Sequence, residues 1–119
     1  MIPRKYIGEQ FYFEHRIIVG GIAQNLSNYQ AIQAVLIGQN GNVHFHWPAE
    51  IGYNAIVKVD DYTFRYYVTS EHTHTLGIGT VRIELMGSIA DSNAPAGVLK
   101  PIFEGDIFRL VDSIIGKQW

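Results

Sequence analysis

The sequence predicts an all-β fold, a two-sheet sandwich of about seven or eight strands with a small barrel as the rival architecture. Apolar and polar residues alternate with a period of two from end to end, β-branched and aromatic residues fill the runs, and Gly, Asn, Asp and Pro punctuate them. No segment sustains a 3.6-residue apolar period, no repeat of 20 to 50 residues is present, and no low-complexity tract interrupts the pattern. Seven or eight short runs at this spacing are what a sandwich of roughly 100 residues needs. With 119 residues the chain is read as a single domain, 1–119.

The first strand lies within Glu9 to Val19, where Phe11, Phe13, Ile17 and Val19 share one face and Glu14 and Arg16 the other. Gly20-Gly21 ends or bulges it, and Asn25-Leu26-Ser27-Asn28 reads as a turn, because Asn and Ser side chains bond nearby backbone. Tyr29 to Ile37 is apolar on both faces and therefore central. Asn40-Gly41 marks a hairpin through the positive φ that this pair tolerates at both turn centres, leading into Asn42 to Trp47, which Pro48 stops. Beyond a loop through Gly52, strands are expected at Ala55 to Val59 and Thr63 to Val68, around an Asp60-Asp61 turn.

Thr69 to Gly79 is polar and reads as an irregular crossover. Thr80 to Met86 alternates cleanly, with Val81, Ile83 and Leu85 inward and Thr80, Arg82 and Glu84 outward. Gly87 to Gly97 is expected as a second long loop, followed by strands at Val98 to Phe103 and Asp106 to Val111 around Glu104-Gly105. The segment 112–119 is a docked final element or an arm reaching a neighbour, and its apolar residues Ile114, Ile115 and Trp119 are the expected interaction residues.

Composition narrows the function. Lys plus Arg number 9 against 11 Asp plus Glu, without a basic block to neutralise phosphates, so nucleic acid is not an expected partner. The absence of cysteine excludes disulfides, thiolate metal sites and thiol nucleophiles. No apolar run has the length of a membrane span, and Met1 to Lys5 does not open a secretory signal, so no membrane partner is expected. Only 17% of residues are charged while six Phe, seven Tyr and two Trp are present, which points to a surface partly covered by a partner.

The residues suited to chemistry are histidines. His44 and His46 flank Phe45 on a strand, and His72 and His74 flank Thr73 in the polar crossover. Residues two apart on a strand share a face, so one such pair can present two imidazoles to one ion, and Glu50 follows four residues after His46. Gly38, His44, His46 and Glu50 resemble the first metal motif of the cupin family, small barrels that hold a divalent metal; the match departs where Val57 replaces a closing glycine, Lys100 a second-motif histidine and Ile89 that motif's leading glycine. Parity opposes this reading. Histidines facing a barrel interior would turn Val43, Phe45 and Trp47 to water, at roughly 1.5 to 3 kcal/mol each, so His44 and His46 are placed on the outer face.

No catalytic serine is assigned, since Ser70, Glu71 and His72 are too close in sequence to form an oriented relay. Gly77-Ile78-Gly79 precedes a strand, not the helix a phosphate loop requires. Tyr53, Tyr62, Tyr66, Tyr67 and Trp47 include candidates for a sugar-stacking face, although strand aromatics more often pack in cores. Asp60-Asp61 and Asp91 read as turn acids because they lack calcium-loop spacing.

Across roughly Glu9 to Asp112 the order of elements resembles a small immunoglobulin-like β-sandwich of tailed phages and prophages, found in tail and baseplate proteins. The stretches that carry it are Leu26 to Tyr29, the Asn40-Gly41 hairpin, Tyr62 to Tyr66, Thr75 to Leu85 and Gly97 to Leu110. The resemblance implies a non-enzymatic structural protein of the virion or host cytoplasm. It would need no cofactor and would assemble with other virion proteins or with copies of itself as a homo-oligomer.

Overall fold

A computed structural model describes residues 2–16, 18–23, 25, 27 and 29–112. Its strands are β1 (Arg4–Tyr6), β2 (Phe11–Arg16), β3 (Ile18–Val19), β4 (Ile22–Ala23), β5 (Ala31–Ile37), β6 (Asn42–Trp47), β7 (Asn54–Lys58), β8 (Thr63–Val68), β9 (Gly79–Asp91) and β10 (Ala94–Val111), with one helix, α1 (Ser70–Leu76), before β9. Eight strands form a curled mixed sheet in the order β1-β10-β9-β5-β6-β7-β8-β2, and β3 and β4 form a separate two-stranded pair among the described residues. The β1–β10 and β6–β7 pairs are parallel and the others antiparallel.

The fold is all-β, as the alternation predicts. β5 lies between β6 and β9, as a strand apolar on both faces should. β6 and β8 span the predicted residues, and Val81, Ile83 and Leu85 of β9 are buried. The sheet curls until β2 lies across the core from β10, with no ladder between the two strands. Phe11 meets Phe108 edge-on at 5.3 Å, Phe13 lies 5.7 Å from Phe108, and the His15 ring lies 5.0 Å from Phe103. Aromatic packing therefore closes what hydrogen bonds leave open.

Four expectations are corrected. The polar crossover holds a helix of about two turns: Thr69 caps it by accepting from the His72 N–H at 3.2 Å, while the His72 side chain accepts from the Thr69 N–H at 3.1 Å. Its buried residues are Thr73 and Leu76, one turn apart, too short a pattern to register as a period. Gly87 to Gly97 is not a loop, because β9 runs on to Asp91 and turns directly into β10. Gly87 serves packing there, since the Tyr29 ring occupies the place a Cβ would take.

Glu104-Gly105 is not a turn either. Glu104 pairs with Glu84 and Gly105 with Ile83 inside one 18-residue strand, whose register shifts fall between Ala94 and Val98, Pro101 and Phe103, and Asp106 and Phe108. Pro101 fits because β1 pairs with Arg109 to Val111, so that among the described residues the preceding part of β10 is an edge. At about 3.3 Å per residue, β10 accounts for most of the 59 Å long axis. Finally, the β5–β6 hairpin forms without positive φ at Asn40 or Gly41; Gly38 N–H donates to Gly41 O at 2.9 Å and Asn40 N–H donates to Leu76 O at 3.0 Å, so the end of α1 shapes the turn.

Candidate functional site

The outer face of β9, β5 and β6 gathers polar side chains in two cross-strand rows. Val35 pairs with His44 on one side and Glu84 on the other, and Gln33 pairs with His46 and Met86. The chain then turns at Pro48 and folds the segment 48–53 back over the face. His46 Nδ1 lies 2.7 Å from Pro48 O, His46 Nε2 lies 3.2 Å from Glu50 Oε2, Tyr53 N–H donates to Glu50 O at 3.2 Å, and the Tyr53 ring lies 5.5 Å from the imidazole. This lid explains why His46 is only 9% exposed although its parity is outward.

Parity otherwise places β6 as expected: Val43 and Phe45 are buried, Trp47 is half-buried with the Lys58 ammonium 5.3 Å from its ring, and His44 is exposed. Of the cupin-like set, His46 and Glu50 meet, with both ring nitrogens facing protein oxygens. His44 shares the face two residues away, and its backbone oxygen accepts from Asn54 Nδ2 at 2.9 Å. Gly38 has a packing role, since a Cβ there would overlap the backbone of Leu76. Among the described residues, no group of three or more His, Asp or Glu side chains is placed to hold a metal ion.

His72 and His74 lie on a helix, where residues two apart point in nearly opposite directions. His74 is exposed, with Nδ1 2.9 Å from Ser70 O. His72 has both nitrogens engaged: Nδ1 accepts from Thr69 N–H, so Nε2 carries the proton and donates to Asn54 Oδ1 at 3.2 Å. Burial lowers its pKa below the ordinary histidine value, partly opposed by the Glu71 charge and a backbone hydrogen bond at Tyr67. His15, stacked on Phe64 with its Nδ1 buried and unpartnered, is lowered by burial as well.

Both histidines hold fewer protons folded than unfolded below about pH 6.5, so unfolding there takes up protons and stability rises with pH. Stability is expected to be complete above that value and to fall as pH drops through it towards the lowered folded values. Urea unfolding at about pH 7.5 and 5.5 measures the slope. The double variant His15→Phe, His72→Gln, whose glutamine preserves a capping acceptor, should flatten it; an unchanged slope would assign it to other groups.

Of the aromatics considered for sugar stacking, Tyr66 is buried, and burial raises its phenol far above the ordinary value. Tyr53, Tyr62 and Tyr67 are exposed. Asp60 is a turn acid that accepts from Tyr62 N–H at 2.7 Å, the chief cause of its lowered pKa. Ile114, Ile115 and Trp119 lie outside the described residues.

Sequence reasoning passed over three residues. Gln33 and Glu84 line a concavity of about 150 Å³ with Val35, His44, Tyr53 and Met86. Tyr12 lines a second one, of about 280 Å³, on the outer side of β2, β8 and β7, with Val57, Arg65 and Tyr67. Outward parity was legible for Glu84, but the strands beside it were not. No protein-family model, curated protein or solved structure matches this chain.

Proposed function

We propose that this chain is a non-enzymatic assembly protein, an immunoglobulin-like sandwich of the tail or baseplate type in tailed phages and prophages, acting through protein–protein contacts. In this reading the two halves of the curled sheet, β1-β10-β9-β5-β6 and β7-β8-β2, are the two layers of the sandwich. Among the described residues, the ladder that joins them is the parallel pair β6–β7, with Phe45 opposite Asn54 and His46 opposite Ala55.

The observation that carries the assembly reading is the outer face of β2, β8 and β7. Tyr12 is 66% exposed, Val57 54% and Tyr67 41%, and the two tyrosine rings pair at 4.8 Å. Polar groups around them are already engaged within the chain: Asn54 with His72 and the His44 carbonyl, Thr69 in the helix cap, and Arg65 with Glu14 at 2.8 Å. An incoming surface meets mostly apolar carbon with a charged rim, the anatomy of a protein interface. The free edge of β10 is a poorer contact, because Pro101 and the register shifts blunt strand addition.

Native mass spectrometry of the full chain is the test. A discrete homo-oligomer is expected, and the double variant Tyr12→Ala, Val57→Asp should be monomeric with an unchanged circular dichroism spectrum. A monomeric parent, or an oligomer indifferent to both changes, would refute this interface.

A further inference from the structure

The concavity on β9, β5 and β6 differs chemically from the tyrosine face. Among the described residues, the side chains of Gln33, His44 and Glu84 and the hydroxyl of Tyr53 have no hydrogen bond or ion pair, yet they surround one depression of about 150 Å³. Polar groups gathered in a concavity without partners are free to bond a ligand. The floor is apolar: Val35 sits between His44 and Glu84 in one cross-strand row, and Met86 pairs with Gln33 in the next. One wall is the Tyr53 ring, 48% exposed. Its position is fixed in advance, because Tyr53 N–H bonds Glu50 O and its ring rests on His46, whose two nitrogens are held by Pro48 O and Glu50.

We propose that this concavity is a saccharide subsite that takes one uncharged pyranose ring. The ligand must combine an apolar face, for Tyr53 and the Val35–Met86 floor, with a rim of groups that both donate and accept. Glu84 accepts, the Gln33 amide does both, and His44 offers one nitrogen of each kind when neutral, which suits neighbouring hydroxyls. His44 and Glu84 are two strand spacings apart, about 10 Å between backbones, so their side chains bracket a single ring. An anionic ligand would meet the Glu84 carboxylate with, among the described residues, no unpaired cation beside it, since Arg82 on β9 bonds Glu104 at 3.0 Å. A peptide side chain from a partner would leave the polar rim unpaired. These residues are distinct from the Tyr12, Val57 and Tyr67 face, so the subsite and the assembly interface stand or fall separately.

The test is saturation-transfer NMR on the full chain with methyl glucoside, methyl galactoside, methyl mannoside and N-acetylglucosamine, each up to about 50 mM, because a one-ring ligand binds in the millimolar range. At least one sugar should receive saturation, strongest on the protons of one ring face. Glu84→Gln should weaken binding roughly tenfold, the worth of a hydrogen bond to a charged group. Tyr53→Ala should abolish the signal and Tyr53→Phe retain most of it. Both positions lie on the outer face of the sheet, and circular dichroism checks that each variant is folded. No transfer to any of the four sugars, or transfer undiminished in both Glu84→Gln and Tyr53→Ala, would overturn the subsite.

Discussion

Replacing Phe108 by alanine is expected to lower the unfolding free energy by about 4 kcal/mol, the range for a buried aromatic truncated in a core. Phe108 is fully buried on β10, and its ring meets Phe11 at 5.3 Å and Phe13 at 5.7 Å on β2. Those two strands stand at opposite ends of the ladder order, save that β1 lies outside β10. β2 is held by its ladder to β8, and side-chain packing is what joins it to β10 across the core. The loss should be largest for β2: hydrogen exchange at Tyr12, Glu14 and Arg16 should accelerate more than exchange at Ala34 or Leu36 on the central strand β5. Phe103→Ala, at a half-buried ring on the same strand, should cost less. Urea unfolding of both variants measures the difference. A loss below about 1.5 kcal/mol for Phe108→Ala, or uniform acceleration across β2 and β5, would show that the closure does not depend on this contact.

How much of this was legible in the sequence divides along a physical line. β6 and β8 were read to the residue because alternation, flanking turn residues and a stopping proline agreed. The β9–β10 hairpin was divided wrongly because Gly87, Gly97, Pro101 and Gly105 all carry local turn signals. Tertiary surroundings override each of them: a tyrosine ring over Gly87, a register shift between Ala94 and Val98 around Gly97, an edge position at Pro101 and pairing with Ile83 at Gly105. Helix α1 was hidden differently. Seven residues with one large apolar side chain give no period, yet Thr69 followed by His72, with Gly77 after Leu76, is the outline of a cap at each end. Histidine in the place of Glu or Gln disguised the capping box.

The candidate site was legible one strand at a time. Parity placed His44 outward and Val43 and Phe45 inward, and the structure sets His46 and Glu50, which the spacing offered only as ligands of one metal ion, 3.2 Å apart. Register decides the rest. Nothing local in Gln33 or Glu84 shows that they stand beside His46 and on either side of Val35 with His44; that follows only once β5 is placed between β6 and β9. The burial of His46 was equally out of reach, because the segment 48–53 folds back over a face that alternation alone marks as solvent.

Gly38→Ala is expected to cost about 3 kcal/mol and to lower the melting temperature by on the order of 10 °C. The added methyl would overlap the backbone of Leu76, and a main chain held at both ends cannot swing aside as a flexible side chain can. Leu76 is fully buried, its carbonyl accepts from Asn40 N–H at 3.0 Å, and the next residue, Gly77, donates to Thr73 O from a left-handed backbone at φ 82°. The helix also reaches the N-terminal segment, since Thr73 Oγ1 accepts from Gly8 N–H at 2.8 Å. A displaced α1 should thus loosen the β5–β6 turn and the residue 7–9 loop together, read as faster hydrogen exchange at Gly8 and Asn40. Gly52→Ala provides the comparison, for Gly52 has φ 91° but open space around it, so it bears conformational strain without overlap. The packing account requires Gly38→Ala to be the more damaging of the two, although Gly38 lacks a positive φ. The reverse order would mean that α1 yields to the methyl and that backbone conformation, not close approach, governs which of these glycines the fold needs.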